Sequence, residues 1–141
     1  MSKAIIVFGS TSGNCEELAG IIADTATGKG LEVVLKNVTE TSVDELQDYD
    51  LILLGSSTWG DGELQDDFYD FDADMSNISL ADKKVAVFGC GDSGMDDFCG
   101  AVTLIESRVK SCGAALTTES LRVDGDIVRE DAVTWAEKAV E

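Results

Sequence analysis

The sequence predicts a doubly wound α/β domain, a parallel sheet with helices on both faces. Three observations carry that expectation. Runs that are apolar throughout, such as Ala4–Phe8 and Leu51–Leu54, have the character of strands buried on both faces rather than the alternation of a half-exposed sheet. Between the runs lie stretches whose apolar residues recur at helical spacing. Several runs end in glycine followed by small or hydroxyl residues, as strands do where they hand over to a loop and a helix. At 141 residues there is chain for one core, so 1–141 is expected to form a single domain.

Taken in order, Ala4–Phe8 is the first strand. A helix from about Asn14 to Thr27 sets Leu18, Ile21 and Ile22 on one stripe and stops at Gly28 and Gly30. Leu31–Leu35 is the second strand, and an acidic helical stretch follows at about Val43–Asp48. Leu51–Leu54, ending at Gly55, is the third strand, and Val85–Phe88, ending at Gly89, is the fourth. A helix from about Gly100 to Ser111 turns Val102, Ile105 and Val109 inward and stops at Cys112-Gly113. Ala115–Thr118 and Leu121–Val123 form a fifth strand with room for a break between its parts, and a helix over Val128–Val140, carrying Val133, Trp135 and Val140, closes the chain. This alternation implies right-handed crossovers and places ligands beyond the carboxyl ends of the strands.

A hydrophobic content of 44% excludes a disordered acidic tail, although 28 acidic against 10 basic residues give a formal charge of -18. Such a charge repels nucleic acid and anionic membranes and favours basic partners, or simply serves solubility. It is unevenly placed: no Lys or Arg lies between Lys36 and Lys83, where Asp61, Glu63, Asp66, Asp67, Asp70, Asp72 and Asp74 gather, so one face is expected to be strongly negative. The chain has no His, and its four cysteines (Cys15, Cys90, Cys99, Cys112) show no C-x-x-C spacing, which argues against a zinc site or dithiol centre. No apolar run approaches membrane-spanning length, and the chain enters a strand almost at once, so a cytoplasmic protein with reduced thiols is expected. The N-x-[ST] triplets at Asn37 and Asn77 are then chance matches.

Three segments beyond strand ends carry unusual chemistry. Gly9-Ser10-Thr11-Ser12-Gly13-Asn14, between a buried strand and a helix, offers hydroxyls, backbone N–H groups and the positive end of a helix dipole to an anion. With no Lys or Arg in it, and without the last glycine of G-x-G-x-x-G, it suits a terminal monophosphate; a plain turn with an N-cap is the structural alternative. Ser56–Gly62 carries Trp59 amid glycines and hydroxyls, where an indole can stack on a planar ring or fold back on the core. Cys90–Cys99 offers backbone N–H groups to carbonyls and Met95 to a ring face, while Phe98 also suits a plug in the core. With strand order 2-1-3-4-5 these segments become neighbours, and a flat ligand with a phosphate tail would span them.

These residues resemble the flavodoxin family, and most closely the short-chain flavodoxins of sulfate-reducing bacteria. The resemblance runs nearly the whole length, through Ala4–Asn14, Leu53–Asp61, Leu64–Phe68, Val87–Ser93 and Phe98–Val102. It implies the flavodoxin-like five-stranded parallel sheet of order 2-1-3-4-5 and one non-covalently bound FMN. It further implies an electron carrier rather than an enzyme, of low potential, cycling mainly between the half-reduced and fully reduced flavin. The implied partners are redox proteins with basic docking patches, such as reductases, cytochromes and hydrogenase-type systems, met by a monomer.

Carried over residue by residue, Ser10, Thr11, Ser12, Gly13, Asn14 and Cys15 would hold the FMN phosphate, and Ser57 and Thr58 would meet the ribityl chain through backbone. Trp59 would cover the inner face of the isoalloxazine and Gly60 would offer its carbonyl near flavin N5. The backbone at Asp92, Asp97 and Cys99 would bond the pyrimidine edge, and Cys90, Gly91, Met95 and Phe98 complete the set. Two positions depart from the family pattern: Cys15 stands where Thr is usual, losing a phosphate hydroxyl, and Met95 is the nearest match to the Tyr that usually covers the outer flavin face. The segment after Trp59 is also shorter than usual.

Two competing readings fail on named residues. A phosphoacceptor receiver domain shares the fold but needs acids after the first strand, an Asp ending the third and a Lys ending the fifth, where Gly9-Ser10, Gly55-Ser56 and a Lys-free segment stand here. A flavin-dependent quinone or nitro reductase needs a substrate pocket and a proton donor beside the ring, and the chain has no His to serve.

Overall fold

A computed structural model describes residues 3–9, 14–59, 63–64, 71, 73–75, 78–80, 83–91, 100–116, 118, 120–124 and 129–139; at several of these, among them 14, 15, 56–59, 63, 64 and 90, the backbone alone is described. The elements are β1 (Lys3–Gly9), α1 (Asn14–Gly28), β2 (Glu32–Asn37), 3-10 turns at Val38–Glu40 and Val43–Asp48, β3 (Leu51–Trp59), β4 (Glu63–Leu64), β5 (Lys84–Gly91), α2 (Gly100–Ser111), β6 (Ala115–Leu116), β7 (Leu121–Asp124) and α3 (Arg129–Ala139).

The sheet runs β2-β1-β3-β5-β6, with β7 also on β5, and every one of these pairings is parallel. β6 and β7 are the two parts of one fifth strand: β6 pairs with Lys84 and Val85 at the start of β5, and β7 with Phe88–Gly91 at its end. The expected order 2-1-3-4-5 is thus realised, break included. Short β4 turns back antiparallel on the end of β3.

The period of two along each strand sorts the core into two layers. Ile5, Val7, Ile52, Leu54, Val85 and Val87 face one way and pack with Val102, Ile105 and Val109 of α2 and with Phe71 and Met75. Ala4, Ile6, Phe8, Leu51, Leu53, Ala86 and Phe88 face the other way and pack with Leu18 and Ile22 of α1 and Ala132, Trp135 and Ala136 of α3. Residues on both sides of the central strands are therefore buried, which is why those strands read as unbroken apolar runs. Burying each large aliphatic side chain contributes about 1.5–3 kcal/mol against the entropy of ordering it.

Two helices stop where glycine permits a left-handed residue. Gly30 (φ 90°) follows α1, with its N–H on the Thr27 carbonyl at 3.0 Å and that of Leu31 on Ala26 at 3.3 Å. Gly113 (φ 88°) follows α2, with its N–H on Lys110 and that of Ala114 on Val109, both at 3.1 Å. Both patterns satisfy the orphan carbonyls of a helix end.

The third and fourth strands run further than their apolar residues indicate. β3 continues through Gly55 to Trp59, because Ser56 pairs with Gly9, Ser57 with Cys90, Thr58 with Leu64 and Trp59 with Glu63. β5 continues through Gly89 to Gly91 against β7. Partners from elsewhere in the chain meet the backbone groups of these polar residues, so the ladder persists where the hydrophobic signal has ended. The inward face of α3 also differs: Ala132, Trp135, Ala136 and Ala139 are buried and Val133 only half so, while Val128 and Val140 lie outside the described residues.

Candidate functional site

The carboxyl ends of the central strands come together at the point where the chain reverses its direction across the sheet. β1 lies between β2 and β3, so the connection after β1 leads one way to β2 and the chain later returns on the other side. Gly9 at the end of β1 is beside Ser56, Ser57 is beside Cys90, and Gly91 is beside Asp124. A crevice outside strand ends at such a reversal is where open α/β sheets bind ligands.

The helices bring their amino ends to the same pole. α1 begins at Asn14, shortly after β1 ends, so the unpaired N–H groups of its first turn and the positive end of its dipole lie where an anion at this crevice is favoured. Leu18, one turn into α1, is fully buried and anchors that end of the helix on the sheet. The first-turn acids Glu16 and Glu17 are exposed, on the solvent side of the turn.

Of the residues expected to bind a cofactor, the backbones of Ser57, Thr58 and Trp59 end β3, those of Cys90 and Gly91 end β5, and those of Asn14 and Cys15 open α1. These three groups are brought to one pole of the sheet. Ser10, Thr11, Ser12, Gly13, Gly60, Asp92, Met95, Asp97, Phe98 and Cys99 lie outside the described residues, as do the acids Asp61, Asp66 and Asp96. Trp59 thus leaves from a strand end rather than from the middle of a loop. Its antiparallel partner β4 leaves residues 60–62, Gly-Asp-Gly, as the connection. Glycines in a three-residue connection between paired strands are a hairpin signal that the expectation of a loop over Ser56–Gly62 passed over.

A further feature under the site carries no local signal. Gly55 stands in register between Phe8 and Phe88, and a Cβ built on it would come within 3.0 Å of three ring carbons of Phe88. The ring of Phe88 occupies the space that any other residue at position 55 would need. Trp135 of α3 meets Phe88 edge to face, with ring centroids 6.1 Å apart at 63°.

The most perturbed ionisable pair among the described residues lies at the sheet edge rather than in this crevice. Lys36 Nζ donates to Glu45 Oε1 at 2.9 Å, the Thr41 hydroxyl donates to Oε2, and the Ser42 N–H donates to Oε2 at 2.9 Å. The Lys36 hydrogen bond first, then those of Thr41 and Ser42, hold the Glu45 carboxyl down at about 2. The same bond raises Lys36. The clasp ties the Val43–Asp48 turn to β2 and is structural. Among the described residues no group of His, Cys, Asp and Glu is placed to hold a metal, and no helix is long and apolar enough to cross a membrane.

The donor set suits a planar ligand with a monophosphate. Two adjacent strand ends supply backbone groups from Ser57 to Trp59 and from Cys90 to Gly91, and a helix amino end stands next to them for the anion. Hydroxyl and glycine residues, not cations, fill the segment between β1 and α1.

Comparison with known proteins agrees with this arrangement. The family model described as Flavodoxin matches residues 6–135. The flavodoxin of Maridesulfovibrio salexigens is 48% identical over 138 residues, covering 96% of this chain and 94% of its own. The solved flavodoxin of Streptococcus pneumoniae TIGR4 superposes with a TM-score of 0.94 at 34% identity, covering 98% of this chain and 97% of its own. A Fusobacterium nucleatum flavodoxin variant bound to flavin mononucleotide shares the fold, with a TM-score of 0.85 at 15% identity and coverage of 99% and 95%.

Proposed function

The chain belongs to the flavodoxin family, and on that footing we propose that it works as a low-potential electron carrier on one FMN, serving redox proteins with basic docking patches. It is an electron-transfer protein rather than an enzyme. The observation that carries the reading is the juxtaposition of the ends of β1, β3 and β5 beside the amino end of α1. Bound FMN supplies a ring that takes up and releases electrons one at a time, and the protein's task is to hold that ring and set the energy of each charge state.

Each group in the chain has a part in that task. Ser10–Cys15 would hold the phosphate by hydroxyl and backbone N–H donors at the helix amino end, with no Lys or Arg in the segment. The backbones of Ser57 and Thr58 would take the ribityl chain, Trp59 would cover the inner ring face, and Met95 would meet the outer one. Backbone groups at Asp92, Asp97 and Cys99 would orient the pyrimidine edge, and Cys90, Gly91 and Phe98 would shape the pocket around it. The negative surroundings oppose the last electron, favour cycling between the half-reduced and fully reduced states, and attract basic partners to a monomer in the cytoplasm.

The visible spectrum of the purified protein tests the reading first. A flavin spectrum with FMN released on denaturation supports it; a colourless protein that rejects added FMN overturns it. Nicotinamide oxidation with quinone as acceptor then separates carrier from reductase, because a carrier gives negligible turnover without a partner reductase.

A further inference from the structure

We propose that Phe88 is a positioning residue for the cofactor: its ring lies across the backbone of Gly55, packs edge to face with Trp135, and holds the ends of β3 and β5 in the relative placement that FMN requires. This rests on the function proposed above and names a residue outside the binding segments.

Side chains on neighbouring parallel strands usually stand side by side on one face of the sheet, each over its own strand. Gly55 and Phe88 are register partners, yet the Phe88 ring fills the place where the Cβ of residue 55 would be. It therefore lies over the next strand as a knob in a hole. The hole exists only because residue 55 is glycine. Phe88 is 0% exposed and Trp135 is 8% exposed, so the ring has no solvent side into which to relax. The indole of Trp135 packs against the ring edge to face, with centroids 6.1 Å apart.

The location gives the contact its consequence. Gly55 directly precedes Ser56–Trp59, and Phe88 directly precedes Gly89–Gly91. The Ser57–Cys90 pair, at which both binding segments begin, is two residues beyond the wedge, about 7 Å at the rise of a strand. A change in how β3 and β5 sit against each other at the wedge is carried along two stiff strands into the cofactor's backbone donors. Phe88 also shares its core with Leu18 and Ile21 of α1, the helix whose amino end would face the phosphate. One ring thus braces the ring-binding strand ends and the seat of the phosphate-binding helix. Binding geometry of this kind tolerates displacements of only about 0.5 Å.

The test compares holoprotein carrying Phe88→Leu with wild type and with Val109→Ala. Val109 is buried against the opposite face of the sheet, near the carboxyl end of α2, and its truncation lowers stability without touching the wedge. FMN affinity is measured by equilibrium dialysis, stability by urea unfolding, and the first one-electron potential by titration. Phe88→Leu should weaken FMN binding by about tenfold and displace the first potential, while Val109→Ala should change stability alone. Trp135→Phe, which restores an aromatic edge, should stay near wild type, and Trp135→Ala should move toward Phe88→Leu. Equal affinity and potential in Phe88→Leu and wild type, or a loss no greater than in Val109→Ala, would overturn the proposal. A wild-type protein that binds no FMN would overturn the function beneath it instead.

Discussion

Replacing Gly55 by Ala asks for one methyl group where the Phe88 ring already is. The added Cβ would lie under 3.0 Å from three ring carbons, closer than real Cβ atoms approach. Backbone adjustment is restrained because residue 55 lies in a central strand, paired in register with the strand carrying Phe8 on one side and with the strand carrying Phe88 on the other. The ring must therefore move within a core where Trp135 of α3 already packs against it edge to face. Overpacking of this kind costs about 1–3 kcal/mol, and a fully buried aromatic belongs at the upper end. Alanine recovers about 0.5–1 kcal/mol by restricting the unfolded chain, which leaves a net loss of about 2 kcal/mol. With a urea dependence of about 2 kcal/mol per molar, the unfolding midpoint of FMN-free protein should fall by about 1 M. Gly20→Ala is the internal control, for Gly20 lies within α1 and an added Cβ there meets nothing within 4 Å. It should raise stability by about 0.5–1 kcal/mol. If Gly55→Ala is as stable as wild type or more so, Phe88 does not fill the space attributed to it and the reasoning fails.

Four further outcomes are expected. Trp59→Ala should weaken FMN binding by roughly 1–3 kcal/mol, read by titration of FMN-free protein, since stacking on a planar base contributes about that much. Gly60→Ala should lower the first one-electron potential by about 40 mV, the equivalent of about 1 kcal/mol of backbone strain opposing a carbonyl turned toward N5. Glu45, held down at about 2 against an ordinary 4.5, contributes stability that is fully present above pH 4.5 and lost as pH falls from there toward 2. Glu45→Gln should remove that part of the acid sensitivity, and an unchanged acid unfolding curve would show that the clasp is not coupled to folding. Neutralising Asp61, Glu63, Asp66, Asp92, Asp96 and Asp97 to Asn or Gln should raise the potential of the second electron. An acid about 10 Å away contributes roughly 20–70 mV, and the same variant should slow association with a basic partner at low salt. A potential that stays put while association slows would confine the acids to docking.

The sheet was legible because its strands are buried on both faces. Ala4–Phe8 and Leu51–Leu54 carry no polar alternation, and that pattern belongs to a parallel sheet with helices above and below. The stops of α1 and α2 were legible for a local reason, since Gly30 and Gly113 adopt the positive φ that ends a helix. The inward face of α3 was less so. Its buried stripe is largely alanine, Ala132, Ala136 and Ala139 around Trp135, and alanine marks a face by its smallness rather than by hydrophobicity. Small residues let helices and sheet approach closely, and that requirement is set by the neighbours.

The site divides along the same line between local and distant causes. The segment from Gly9 to Asn14 announces itself because a strand, a run of small hydroxyl residues and a helix are consecutive in the chain. The course of β3 past Gly55 was hidden because polar residues there are paired by Gly9, Cys90, Leu64 and Glu63, which come from three other strands. Gly55 is the sharpest case. Followed by Ser-Ser-Thr, a glycine after an apolar run reads as the end of a strand, and only its register partner Phe88 shows that it is a hole cut for a ring. A glycine that ends a strand accepts alanine; one that receives a ring from the neighbouring strand does not. Identical local sequence thus leads to opposite outcomes on substitution, and the distant aromatic decides between them.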